Sequence, residues 1–137
     1  MNISSGAATA AFLLFLTAGN LSAADISGVW TKTTSEDANN VTVFYQEGSD
    51  IHAVGAGRIA WRTAVWRASG SIDGNRIRLV YHYSADSVPA GWDPDGTMTL
   101  TLSRDGNRIK GTAVSKSGGW SGPIGWKRIR VVQPPNN

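Results

Sequence analysis

Residues 96–111 carry the pattern that most constrains what this chain can fold into. Met98, Leu100 and Leu102 alternate with threonine and serine, which is the period-two signature of a β-strand with one buried face. An Asp-Gly-Asn turn at residues 105–107 follows, and the chain then returns as a second strand. The stretch therefore predicts a β-hairpin and not a helix.

The rest of the chain after residue 24 repeats this turn and strand chemistry. Further strands are predicted at residues 26–33, 41–46, 51–54, 58–70, 76–83 and 120–132. The segment 58–70 is the most ambiguous, because its residues are also tolerable in a helix, but its flanking glycines favour one strand. About eight short strands joined by consecutive hairpins predict an all-β fold, a single antiparallel up-and-down β-barrel.

The first 24 residues predict a secretion signal that is cleaved from the mature protein. They contain no charged side chain, and an apolar run at residues 7–18 is too short to span a bilayer. Small residues follow at 22–24, where cleavage is expected. We therefore expect a signal peptide at 1–24, a barrel domain at 25–132 and a polar tail at 133–137, with a secreted or periplasmic location and no stable membrane span after cleavage.

Composition and missing motifs narrow the function classes. The absence of cysteine excludes disulfides and thiolate metal sites. Thirteen Lys and Arg against ten Asp and Glu give a net charge of +3, which is too mild and mixed for a nucleic-acid-binding surface. There is no nucleophile elbow and no phosphate loop. His52 and His82 have no partner at metal-ligand spacing, and the Asp-Pro-Asp-Gly sequence at 93–96 lacks the other ligands of a calcium loop. We expect no enzymatic activity, cofactor or metal.

Six tryptophans are more than a core of this size needs. Trp30 and Trp126 lie on regular strands and are expected in the core. Trp61 and Trp66 are five residues apart in sequence, so they face opposite sides of the strand predicted there. Trp92 and Trp120 fall in or beside glycine-rich loops, where flat aromatic faces stack on sugars or anchor an interface. Trp61, Trp92 and Trp120 are therefore the candidate ligand-binding aromatic residues.

Arginines are densest between residues 58 and 78, at Arg58, Arg62, Arg67, Arg76 and Arg78. If the two segments that carry them pair, several guanidinium groups share one face of the sheet. That face is either a solvated exterior or an anion-binding interior. Arg62 and Arg78 are the candidates for polar contacts with a bound ligand.

The sequence Gly28-Val29-Trp30 on the first strand resembles the lipocalin and avidin superfamily, in which that tryptophan closes one end of the barrel. The resemblance implies a secreted eight-stranded barrel; the avidin C-terminal signature is absent, so biotin binding is not implied. A barrel of this size has room for one small ligand. The leading hypothesis is a non-enzymatic binding protein that holds a small molecule or a glycan at the barrel mouth.

Two segments also resemble small barrel inhibitors of bacterial metalloproteases. Those inhibitors start near a Ser-Gly-x-Trp sequence, as at residues 27–30, and carry a Gly-Trp-x-Pro segment that leads into an Asp-Gly-x-x-Leu strand. Residues 91–100 are similar, with three residues between Gly96 and Leu100. Their disulfide cannot form here. The alternative hypothesis is therefore an inhibitor or interaction protein that binds a secreted hydrolase, such as a protease, through residues 25–27 and the loop 84–95.

Overall fold

The computed structural model describes residues 25–34, 40–59 and 62–129 and shows a closed barrel of eight antiparallel strands. The strands are β1 (Gly28–Lys32), β2 (Val41–Glu47), β3 (Asp50–Ile59), β4 (Arg62–Asp73), β5 (Arg76–Tyr83), β6 (Asp95–Leu102), β7 (Arg108–Ser115) and β8 (Ser121–Arg128). Each strand pairs with the next in sequence, and β1 pairs with β8. The predicted up-and-down barrel is therefore confirmed.

Little of the described chain lies outside the strands and their turns. A 3₁₀ turn (Ala85–Ser87) is the one helical element in these three ranges. No helix in them has the length and apolar character needed to cross a membrane. The expected signal peptide at 1–24 and the tail at 133–137 lie outside the described residues.

The hairpin predicted from residues 96–111 is formed by β6 and β7, with Leu102 paired to Ile109 next to the turn. Met98, Leu100 and Leu102 are buried in the barrel, and the threonines between them are exposed on its outer wall. The apolar side chains face inward because strand residues alternate between the two faces of a sheet and only one face is shielded from water.

The prediction of a single strand over residues 58–70 is wrong. β3 continues through Gly55 to Ile59, and β4 begins at Arg62, which pairs with Ile59. Gly55 does not mark a turn because the Trp66 indole lies against it: a Cβ at position 55 would be 2.2 Å from that ring. A glycine inside a strand here marks close packing instead of a chain reversal.

The strand alternation gives the barrel a turn end and an open end. The turn end carries the turns at 48–49, 74–75 and 103–107, and the open end carries the connections 84–94 and 116–120. Two of the turns repeat the sequence Asp-Gly-Asn, with Gly74 and Gly106 in the left-handed region at φ of 59° and 72°. In each, the asparagine carbonyl accepts a backbone N–H, from Leu102 at 2.8 Å and from Arg128 at 2.9 Å. The repeat is a scaffold feature.

Trp30 closes the turn end. It is fully buried, and its Nε1 donates to the Ile26 carbonyl at 3.0 Å. The Arg128 guanidinium lies 4.5 Å from the centre of the Trp30 ring and donates to the carbonyls of Ser27 at 2.8 Å and Asp25 at 2.9 Å. The ring, the guanidinium and the N-terminal residues together shield the barrel interior from solvent at this end.

A stack of aromatic rings fills the barrel from the turn end towards its middle. Phe44 meets Trp30 edge-on at a centroid distance of 5.9 Å and Trp126 at 5.6 Å, and Trp126 lies 6.1 Å from Trp66. Edge-on contacts are the favoured geometry for such rings. The Trp126 indole N–H donates to the buried Thr42 hydroxyl at 3.0 Å, so its polar atom is satisfied. The stack ends at Trp66.

Candidate functional site

The barrel interior beyond this aromatic stack is not filled. A pocket of about 520 Å³ lies at the open end. Sites for small molecules are typically clefts of roughly 300–1,000 Å³. The sequence did not determine whether the barrel interior is filled or hollow. In the structure it is filled at the turn end and hollow at the open end.

The inner wall of the pocket is apolar. Ile59, Met98, Ala113 and Ile124 line it, one each from β3, β6, β7 and β8. All four occupy inward positions on their strands, the last three being buried. This wall offers a surface for the apolar part of a ligand.

Tyr81 and Tyr83 line one side of the pocket as an edge-to-face pair with a centroid distance of 5.7 Å. Burial raises the pKa of Tyr83 to about 12, and burial together with the Asp93 carboxylate raises the pKa of Tyr81. Both hydroxyls are therefore protonated donors near neutral pH. Neither makes a hydrogen bond within the three described ranges.

Trp92 and Trp120 lie at the pocket mouth and contribute to its lining. They are 56% and 53% exposed, which is unusual for side chains of this size. The Trp120 indole packs against Gly122, where a Cβ would be 2.9 Å from the ring, and the Trp120 backbone N–H donates to the Ser115 hydroxyl at 3.0 Å. Two of the three predicted ligand-binding tryptophans are thus brought to one pocket.

The Asp93 carboxylate joins the two loops that carry these tryptophans. Its Oδ1 accepts the Asp95 backbone N–H at 3.1 Å and so closes a tight turn just before β6. Its Oδ2 accepts the Ser117 backbone N–H at 2.7 Å, across to the β7–β8 loop. The hydrogen bonds from Asp95 and Ser117 lower the pKa of Asp93. The carboxylate therefore ties the loops of Trp92 and Trp120 together in its ionised form.

Asp93→Ala should loosen the pocket mouth without unfolding the barrel. At neutral pH the Ser117 amide should exchange its hydrogen at least about tenfold faster than in the wild type, because its acceptor is gone. Amide hydrogen exchange followed by NMR measures this. Asp105→Ala is the matched control, since Asp105 accepts the Asn107 N–H at 3.1 Å in a turn at the opposite end. Unchanged Ser117 exchange in Asp93→Ala would contradict the role given to Asp93.

Asp93 should stabilise the pocket mouth at neutral pH and lose this effect only when the pH becomes acidic. Its pKa is lower in the folded chain than its ordinary value of 3.8, so the stabilisation is complete above that value and is lost as pH falls through the lowered pKa. The Ser117 amide chemical shift should accordingly stay constant from neutral pH down to about 4 and change only below it.

Lys32 is a pocket residue that the sequence analysis missed. It shares the inward face of β1 with Trp30, and Asn40 fixes its backbone by accepting the Lys32 N–H and donating to the Lys32 carbonyl at 3.4 Å. Lys32 lines both the pocket and a recess of about 30 Å³ that reaches Trp66. Burial lowers the pKa of its ammonium group. The alternation of the strand beyond Trp30 was the available sequence signal.

The other predicted site residues are not brought together with the tryptophans. Arg62 is half-buried at the start of β4, and its Nη1 donates to the Asp86 carbonyl at 3.2 Å, so it supports the loop 84–94. Arg78 is exposed on the outer face of β5. Neither lines the pocket, whereas Arg58 of the same basic region does. Trp61 lies outside the described residues.

His82 has a carboxylate neighbour that its sequence context does not reveal. Its Nδ1 lies 2.5 Å from Oδ1 of Asp95, its cross-strand partner on β6. Both side chains are partly exposed, and neither lines the pocket. Over residues 25–34, 40–59 and 62–129, no three His, Cys, Asp or Glu side chains form a group that could hold a metal ion.

No family model, curated protein or solved structure matches this chain. What the barrel does has therefore to be inferred from the pocket itself.

Proposed function

We propose that this barrel is a non-enzymatic binding protein that holds one small, largely apolar molecule in the pocket at its open end. The pocket itself supports the proposal most strongly, because it combines a volume of about 520 Å³ with an apolar inner wall and exposed tryptophans at the mouth. If residues 1–24 direct export as their sequence predicts, binding takes place in the periplasm or outside the cell.

The pocket is built to bind without large rearrangement. The barrel below it is packed with aromatic rings, and Asp93 already holds the two mouth loops together. A preformed site avoids the entropic cost of ordering loops when the ligand arrives. This favours a recessed small molecule over an extended glycan, which would lie across the exposed tryptophans and leave the apolar inner wall unused.

The positions of two segments weaken the alternative of a hydrolase inhibitor. Residues 25–27 lie at the turn end and the loop 84–95 at the open end, so one partner surface would have to span the barrel to contact both. Ile26 is fully buried, and the Ser27 hydroxyl accepts the Gln46 backbone N–H at 3.0 Å. The N-terminal residues therefore support the barrel and are poorly placed to insert into an enzyme cleft.

Titration with the neutral fluorophore N-phenyl-1-naphthylamine tests the proposal. We expect a saturable rise in probe fluorescence at one molecule per barrel, with quenching of tryptophan emission, because Trp92 and Trp120 line the pocket. The absence of saturable binding up to the solubility limit of the probe would overturn the proposal. So would binding of oligosaccharides by a protein that ignores the probe.

A further inference from the structure

We infer that the pocket selects an amphipathic organic anion, with a carboxylate or sulfonate group held by Lys32 and an apolar body lying against the inner wall and the mouth tryptophans. This inference rests on the proposed function and specifies the ligand class of the same pocket.

The position of Lys32 is the first observation behind it. Lysines are almost never buried unless they are paired, yet the Lys32 side chain points into the barrel, two residues beyond the buried Trp30. It lines the pocket together with apolar residues, and burial lowers the pKa of its ammonium group. A cation that has lost part of its hydration gains most from an anionic partner.

The protein supplies no such partner among the residues described. No carboxylate in these ranges forms an ion pair with Lys32. Asp93 is the acidic residue of the pocket lining, and both of its oxygens accept backbone N–H groups at the mouth. The protein therefore leaves the anionic partner of Lys32 to be supplied by a bound ligand.

The remaining polar groups fit the same ligand. The Tyr81 and Tyr83 hydroxyls line the pocket as protonated donors that are not engaged elsewhere in the described chain. A donor hydroxyl and an ammonium group suit the oxygens of a carboxylate or sulfonate, which only accept hydrogen bonds. The apolar wall formed by Ile59, Met98, Ala113 and Ile124 accepts the rest of the molecule.

A matched pair of fluorescent probes tests the inference. N-phenyl-1-naphthylamine and its 8-sulfonate share one aromatic skeleton and differ in one sulfonate group, which carries a single negative charge. The wild-type barrel should bind the sulfonate about tenfold more tightly than the neutral probe, as one charge-assisted contact allows. Lys32→Met should remove that preference, so that the two probes bind with similar affinity, and its circular-dichroism spectrum and urea midpoint show whether the variant is folded. Lys32→Arg should retain the preference.

Lys110→Met is the charge-matched control, because Lys110 is exposed on the outer face of β7, and it should bind both probes as the wild type does. If the wild type binds both probes equally well, the anion selectivity is overturned and the proposed function stands. If the preference survives in Lys32→Met, the assignment to Lys32 is overturned. If neither probe binds, the proposed function fails and the inference with it.

Discussion

Replacing Trp92 and Trp120 together with alanine should weaken the binding of N-phenyl-1-naphthylamine at least about 30-fold, or about 2 kcal/mol, while the barrel stays folded. Both indoles line the pocket mouth and are more than half exposed, so they have a large apolar surface still to be buried by a ligand. Tryptophans in such positions commonly dominate a binding energy. Fluorescence titration measures the affinity, and chemical denaturation measures the folding.

The control for this pair is Tyr45→Ala with Val54→Ala. These side chains are 56% and 58% exposed, much like the two tryptophans, but they lie on the outer wall of β2 and β3. Their loss should leave probe affinity within about twofold of the wild type. A double tryptophan variant that binds the probe as tightly as this control would show that the mouth tryptophans are not part of the site.

Trp30→Ala should lower the free energy of unfolding by about 3–5 kcal/mol, the range found when a large buried aromatic residue is truncated. Trp30 is fully buried and packs edge-on against Phe44, and its indole lies beneath the Arg128 guanidinium. Alanine would leave a cavity at the turn end and remove the aromatic face against which the Arg128 guanidinium packs. This loss is a large fraction of the free energy of unfolding of an ordinary domain, which is about 5–15 kcal/mol.

Trp92→Ala is the matched control, since it is the same substitution at a half-exposed loop position. Urea denaturation of both variants should show a large loss for Trp30→Ala and less than about 1 kcal/mol for Trp92→Ala. Equal losses would mean that Trp30 does not close the barrel in the way its contacts indicate.

Most of the fold was predictable because half-buried strands carry their own signature. The alternation of Met98, Leu100 and Leu102 predicted a strand with one inward face, and the two Asp-Gly-Asn sequences predicted hairpin turns. The boundary between β3 and β4 was not predictable, because Gly55 looks like a turn residue. Position 55 requires glycine because the Trp66 ring of the neighbouring strand packs against it and leaves no room for a side chain.

The pocket was predictable only in part. The residues that were missed or misplaced are those whose position depends on how distant strands pair. Trp92 and Trp120 stood out because aromatic residues in glycine-rich loops have no local reason to be there. Lys32 lies two residues beyond Trp30 on the same strand face, but a lysine facing a barrel interior contradicts ordinary burial preferences. Arg78 looked like a ligand residue until the register of β5 placed it on the outer wall.

Filling the pocket with a side chain tests whether the ligand binds inside the barrel. Ala113 is buried on β7 and lines the pocket, while its neighbour Thr112 is exposed on the outer wall. Ala113→Phe should place a ring in the cavity and reduce probe affinity at least about tenfold, whereas Thr112→Phe should bind N-phenyl-1-naphthylamine as the wild type does. A folded Ala113→Phe variant with wild-type affinity would contradict binding inside the barrel.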